Sequence, residues 1–513
     1  MTDPEQDKKR IENEKDPLRR DCYTWILEDK DLRDWRDGCD SRLLWIKGDP
    51  GKGKTMLMIA LANELSKSLR QRHEPGALAY FFCQSTDSRL NNAVSVLRGL
   101  IFLLVGRDRT LIRYVRDVYD KIGDQLFNGP NALYSLWSIL SNILKDSSLP
   151  TVYLLIDALD ECDDGLSQFL KLISEYFSES RSKVKWLLSS RHRADIEAFL
   201  RPEGSRKRIS LELNSEHISR AVDSFIGYKI EELAKQKEYD EHLRKKIANQ
   251  LREKAESTFL WVALVCKMLG DVPRWKTLSV LQELPPGLEP LYDRMMKQIL
   301  HLKDGQSKEY CLQILRSVTT AYRPLILEEL VPVAGLPGNL LQDIKSLQEL
   351  VEMCGSFLTV RRETAHFVHL SAKDYFVKGG GQNIFSTGLV AEHSVIFDRC
   401  LESMSLILNK RDLCSLGWPG TKATEAKINH SVQSIEYACC FWVDHLDRIR
   451  ESVSIEQSQD LLTDNGRVHE FLQSHLLHWL EAMSLLGRIT DGVLIFKHLK
   501  EMIQVSSHPT IYL

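Results

Sequence analysis

The sequence predicts an α/β fold in which a parallel sheet carries helices on both faces, followed by a helical domain, a winged-helix domain and a C-terminal all-α region. Three observations support this. Short apolar runs alternate with helical segments between Leu43 and Ser189. Past about residue 212 the alternation gives way to one helical segment after another. Near residue 357 two short β-forming runs flank a polar turn. Strands that alternate with helices need crossover connections, which make a sheet parallel and cover both its faces.

Residues 1–40 read as a charged helical lead-in whose apolar side is Trp25, Ile26, Leu27 and Trp35. The core spans 41–212. Its first strand is Leu43-Leu44-Trp45-Ile46, ended by a glycine-rich turn, and Met56–Leu69 then has helical periodicity. Leu78–Cys83 is the second strand, Val94–Val105 a buried helix, Val152–Ile156 the third strand and Trp186–Ser189 the fourth. Residues 213–287 form a small helical domain with helices over His217–Leu233, Asp240–Lys254 and Leu260–Leu269, and Pro285-Pro286 breaks the run. Residues 288–378 continue with helices over Leu291–Leu300 and Glu309–Thr319. The hairpin Phe357–Val360 and His366–His369 then gives a winged-helix pattern. Gly379-Gly380-Gly381 is expected to be a flexible linker. Residues 379–513 are helical.

Bulk properties exclude several classes of function. A chain of 513 residues is too long for one core. Its 68 basic and 71 acidic residues leave a net charge of −3, which gives no electrostatic reason to expect nucleic acid as a partner. Eleven scattered cysteines without a C-x-x-C pair read as reduced, mostly buried thiols. The charged N-terminus is not a secretory signal, and Gly99–Gly106 and Phe259–Cys266 are too short to span a bilayer, so a cytoplasmic protein is expected.

The strongest signal is Gly48-Asp49-Pro50-Gly51-Lys52-Gly53-Lys54-Thr55, a G-x-x-x-x-G-K-[ST] loop between an apolar strand and an amphipathic helix. Glycines let successive N–H groups converge on phosphate oxygens, and the helix adds its positive end. Lys54 would reach the β- and γ-phosphates and Thr55 would ligate Mg²⁺. About a hundred residues downstream, Val152-Tyr153-Leu154-Leu155-Ile156 ends in Asp157, a second candidate Mg²⁺ ligand. Asp160 and Glu161 follow, where either could orient or polarise an attacking water. Arg191 comes at the carboxyl end of the next strand, where ligands of such sheets gather, and could sense a γ-phosphate. Together these predict a P-loop NTPase core that takes a nucleotide, ATP/ADP or GTP, with Mg²⁺; base contacts come from residues outside the motifs, so the motifs do not distinguish ATP from GTP.

Two other patterns are set aside. Asn409-Lys410-Arg411-Asp412 matches a guanine-reading motif, but it lies about 250 residues beyond Asp157 on a segment with helical periodicity. His469, His475 and His478 are loosely spaced along a helix with few carboxylates or thiols nearby, which argues against a metal site.

Asp157-Ala158-Leu159-Asp160-Glu161, a small residue after the metal-binding acid and then further acids, resembles NACHT-type signal-transduction NTPases. Leu43–Thr55, Tyr80-Phe81-Phe82-Cys83-Gln84, Ser189-Ser190-Arg191, Thr258-Phe259-Leu260-Trp261-Val262 and Val368-His369-Leu370-Ser371-Ala372-Lys373-Asp374-Tyr375 resemble fungal NACHT proteins related to the vegetative (heterokaryon) incompatibility family. The resemblance runs over nearly the whole chain. It implies a NOD-like receptor architecture and a switch that is closed with ADP and open with ATP, hydrolyses slowly, self-oligomerises on activation and signals to an effector protein. It also implies that His369 contacts the bound diphosphate. The proline that often touches nucleotide from the first helical domain is not evident near Ser257-Thr258-Phe259. Such relatives usually carry an N-terminal effector domain and a C-terminal repeat sensor. With no 20–50 residue repeat found here, the expectation is a chain without that sensor, as a truncated gene product, a shortened paralogue or a partner to other chains.

Overall fold

The computed structural model describes residues 3–17, 19–38, 43–71, 76–87, 89–146, 149–179, 183–201, 206–385, 388–417, 430–451, 462 and 466–505. The chain divides into two compact units, Met1–Leu291 and Tyr292–Leu513.

The first unit is built on β1 (Leu43–Lys47), β2 (Gly76–Phe82), β3 (Thr151–Asp157), β4 (Val184–Ser190) and β5 (Arg206–Ser210), in the order β2-β3-β4-β1-β5. Every pairing is parallel, as the strand–helix alternation requires. The apolar runs are continuous because both faces are covered. On one face Leu43, Trp45, Ala79, Phe81, Leu154, Ile156, Trp186 and Leu188 join a core with the helices Ala93–Arg107, Ala132–Leu144, Leu166–Glu179 and Ala194–Leu200. The intervening residues Leu44, Ile46, Leu155 and Leu187 are equally buried. On that second face lie the helix Lys54–Gln71 and part of the lead-in, whose Trp35 packs edge-on against Tyr153. The lead-in is pinned further by the buried Lys185 ammonium, which donates to the carbonyls of Trp35 and Gly38.

Strand β5 is not among the sequence-predicted strands. Its residues Arg206-Lys207-Arg208-Ile209-Ser210 show no apolar run because β5 pairs on one side only, and its first three side chains are only half-buried. The helices Ser215–Lys237, Glu241–Lys254 and Phe259–Asp271 follow it, and Pro285-Pro286 separates Thr277–Glu283 from Leu288–Leu300.

The second unit begins within the helix Leu288–Leu300 and continues with helices Gly305–Thr320, Leu327–Ala334 and Ile344–Met353, then the antiparallel hairpin β7 (Leu358–Arg361) and β8 (Thr364–Phe367). The two-residue strand β6 (Leu325–Ile326) adds to β8 and is too short to read from sequence. The hairpin stops at Phe367, so His369 is not on a strand as expected; it caps the helix Leu370–Val377. The glycine triplet is not an open linker either. Gly380–Asn383 is a tight helical turn, and the amide of Phe385 donates to Gly381 O at 2.7 Å. Asn409–Asp412 lies in bends after the helix Leu389–Ile407 rather than in a helix, and the Asp412 carboxylate caps the amides of Leu416 and Gly417. That local turn accounts for the residue types without a nucleobase. His475 uses Nδ1 on the carbonyl of Leu408, and among the described residues no cluster of three or more histidines, cysteines or acids is arranged to hold a metal. No described helix is long and apolar enough to cross a membrane.

Candidate functional site

The carboxyl ends of β1, β3 and β4 are neighbours in the sheet, and they carry the residues singled out in the first unit. Gly48-Asp49-Pro50-Gly51-Lys52-Gly53 links β1 to the helix that begins at Lys54. Gly51 and Gly53 have φ of +78° and +86°, a region that side chains with a Cβ rarely enter. Both are also crowded: a Cβ on Gly51 would lie 2.9 Å from Thr258 Cγ2, and one on Gly53 would lie 3.1 Å from the Phe259 ring. The first amides of the Lys54–Gln71 helix have no intrahelical acceptors and face the loop, with the helix dipole behind them. The loop is steadied from β5, because Asp49 N donates to Glu212 Oε1 at 2.7 Å and Ser210 Oγ donates to Glu212 Oε2 at 2.9 Å.

Lys54 folds its ammonium onto the carbonyls of Gly48 and Asp49, the latter at 3.0 Å. Burial lowers its pKa, and the carboxylates of Asp160, Asp157 and Glu161 act in the opposite sense. Asp157 ends β3 at 1% exposure. Burial raises its carboxyl pKa, while hydrogen bonds from the Ser189 and Thr55 hydroxyls work against the rise. The two residues expected to bind Mg²⁺ are thus in direct contact. One hydroxyl and one carboxylate form the sparse set of hard oxygen donors that suits Mg²⁺, which keeps most of its water. The donor set present fits that ion.

Beyond Asp157 the backbone turns sharply through Ala158, at φ +54°, and Ala158 N donates to Ser189 Oγ at 2.9 Å. The turn directs Asp160 and Glu161 differently. Asp160 Oδ1 accepts Arg191 N at 2.9 Å and its Oδ2 lies 3.1 Å from Arg191 Nε, so acid and arginine form one half-buried pair. Glu161 accepts Ser85 N at 3.2 Å. Its pKa is pushed up to about 8, by burial first and by Asp160 second. A carboxyl with such a pKa, beside the Thr55–Asp157 pair, is suited to taking a proton from water.

The sequence did not point to Ser189 as the partner of Asp157, although a fully buried serine in an apolar strand was the available signal. Glu212 and Ser85 carried no signal. The region expected to lack a nucleotide-contacting proline has its own contact, since Thr258 and Phe259 rest on the glycines of the phosphate loop. His369 belongs to the second unit. Its Nδ1 accepts the Ser371 amide at 3.1 Å, which leaves Nε2 as the nitrogen that bears the proton in the neutral ring.

Residues 21–191 match the family described as nephrocystin 3, N-terminal. The chain is 43% identical over 521 residues to the vegetative incompatibility protein HET-E-1 of Podospora anserina, an alignment that covers 98% of this chain and 38% of that protein. The chain thus spans well under half the length of this relative. Among solved structures, a Walker-type ATPase of Pyrococcus abyssi is 14% identical at a TM-score of 0.34, over 70% of this chain and 95% of that one. The Aeropyrum pernix ORC2 protein is 13% identical at the same TM-score of 0.34, over 70% and 92%. The parallel β2-β3-β4-β1-β5 sheet with its phosphate loop at the end of β1 is a P-loop NTPase fold, and nearly the whole chain is similar to a part of a fungal vegetative incompatibility protein.

Proposed function

We propose that the chain is a nucleotide-operated switch of the NOD-like receptor type, cytoplasmic, closed with ADP and open with ATP. In the open form it self-oligomerises and signals to an effector protein in non-self recognition or programmed cell death. The observation that carries this reading is the convergence of Gly48–Thr55, Asp157 and the Asp160–Arg191 pair at one edge of the sheet. The loop amides and Lys54 bind the phosphates of ATP or ADP, with GTP also compatible. Thr55 and Asp157 hold Mg²⁺, which when bound neutralises phosphate charge. Asp160 positions Arg191 toward the terminal phosphate. Glu161 accepts the proton of the attacking water. His369 contributes an Nε2–H donor to a bound diphosphate and favours the closed state. Regions 213–287, 288–378 and 379–513 serve as the helical, winged-helix and C-terminal parts that respond.

A switch needs differential affinity, and moving a population from 1:99 to 99:1 takes about 5.5 kcal/mol between the two states. Light scattering after size exclusion should therefore give a monomer with ADP and a larger species with a non-hydrolysable ATP analogue. Equal masses from nucleotide-loaded protein in both conditions would rule out the switch.

The raised carboxyl of Glu161 sets a pH dependence. Its base form is scarce below a pKa of about 8 and fills in above it, so hydrolysis should climb from pH 7 and level off past about 8. Glu161→Gln should lower the rate and flatten the profile. A parental profile that is already flat over this range would remove Glu161 from the proton transfer.

A further inference from the structure

The phosphate loop carries a second lysine that plays no part in the chemistry above. Lys52 points away from Lys54 and into a turn at the start of the Phe259–Asp271 helix. Its Nζ donates to the carbonyls of Glu256 at 2.7 Å and Ser257 at 3.1 Å, and to Thr258 Oγ1 at 3.2 Å. The Thr258 hydroxyl in turn donates to Glu256 O at 3.1 Å. Glu256 and Ser257 have φ of +46° and +52°, two consecutive non-glycine residues in the left-handed region. Each Cβ there crowds its own carbonyl, so such a pair persists only where surrounding contacts over-determine it. The Lys52 ammonium gathers both carbonyls on one cation and supplies that constraint.

The turn is also locked against the loop from the other side. Thr258 and Phe259 fill the space that Cβ atoms on Gly51 and Gly53 would need, and Leu260 N donates to Gly51 O at 3.4 Å. The Glu256 carboxylate lies where a Cβ on Gly287 would be, 2.8 Å from its Oε2. Loop and turn are therefore joined by hydrogen bonds and close packing, with the Lys52 ammonium as the side-chain link between them.

We infer that Lys52 is a positioning residue that clamps the strained Glu256–Ser257 turn to the phosphate loop, so that the helical segment beginning at Phe259 tracks the loop's conformation and slows nucleotide release. This rests on the nucleotide reading above. It separates the two lysines, with Lys54 serving the phosphates and Lys52 serving the turn.

The test uses the full chain, amide hydrogen exchange, and release of a fluorescent ADP analogue with magnesium. In Lys52→Met, amides 256–260 should exchange at least tenfold faster while Val152–Ile156 stay as protected as in the parent, and the analogue should leave about tenfold faster. Adding Ser257→Gly should recover much of both, because glycine takes φ +52° without a Cβ clash. If Lys52→Met does not fold, Lys52→Gln, which keeps a single donor group, should shift both readouts the same way. Unchanged exchange at 256–260 would overturn the clamp. Faster exchange with unchanged release would overturn its coupling to nucleotide. A parent that binds no analogue at all would overturn the nucleotide reading, and the exchange data would then report on the clamp alone.

Discussion

Alanine at Lys54 is expected to weaken binding of ATP or ADP with magnesium by about a hundredfold or more, while the chain stays folded. Truncating one partner of a desolvated charge pair costs about 2–5 kcal/mol, and each 1.4 kcal/mol is a factor of about ten. Lys54 is the cation in this position: burial lowers its pKa, and a polyphosphate would restore it. The folding penalty is smaller. Two carbonyls lose a donor: that of exposed Asp49 can turn to water, while that of buried Gly48 is left short of a partner, so the loss should stay at about 1–2 kcal/mol. Titration calorimetry with both nucleotides, alongside thermal unfolding of the unliganded protein, gives the two numbers. Parental affinity in Lys54→Ala would place the nucleotide elsewhere. A variant that no longer folds would mark the chain as a scaffold in which the nucleotide is structural.

The legibility of the fold tracked how completely each element is buried. Strands β1 to β4 are enclosed on both faces, so apolar residues dominate them and each shows an apolar run, with polar residues such as Lys185, Ser189 and Asp157 held by specific partners. The edge strand β5 has one partner and exposed neighbours, so Arg206-Lys207-Arg208 satisfies it and the run disappears. Strand β6 exists only because β8 offers it an edge, a tertiary fact with no local signature. His369 was misplaced by two residues because the strand-like Phe367-Val368 flows directly into a helix, and a histidine accepting at the N-cap is an uncommon substitute for serine or aspartate.

Within the site, residue type and spacing singled out the residues proposed to contact phosphate and metal. The glycines, Lys54, Thr55 and Asp157 are constrained by chemistry that few residues can do. Residues that hold those groups in place were hidden, because many side chains could do the same work. Glu212 steadies Asp49 through one amide, and any acceptor of similar length would serve. The Asp160–Arg191 pair shows the intermediate case. Both residues were singled out, yet their mutual contact follows only from β3 and β4 being adjacent in the sheet, an order set by the crossovers and not by either strand.

Asparagine at Asp157 is expected to separate function from stability. Oδ1 of the native carboxylate accepts the Ser189 hydroxyl, and Thr55 supplies a second hydrogen bond, in surroundings where burial disfavours the charge. An amide of the same shape removes that charge and keeps the Oδ1 acceptor, and the Thr55 hydroxyl can rotate to accept from the new N–H. Without nucleotide, the variant should melt at or slightly above the parental temperature. Of the two proposed magnesium ligands Asp157 is the charged one, so hydrolysis should fall by about two orders of magnitude or more, in the range seen when a preorganised electrostatic group is removed. The stabilisation that Mg²⁺–ATP confers on the parent, about 2.7 kcal/mol at a hundred times the dissociation constant, should shrink in step. Thermal unfolding with and without Mg²⁺–ATP measures both effects in one experiment. A variant that melts well below the parent without ligand would make Asp157 a structural charge. One that hydrolyses at the parental rate would move the metal to other ligands. The raised pKa of a carboxyl bonded by two hydroxyls argues against the first of these, because the fold gains little from keeping this group ionised.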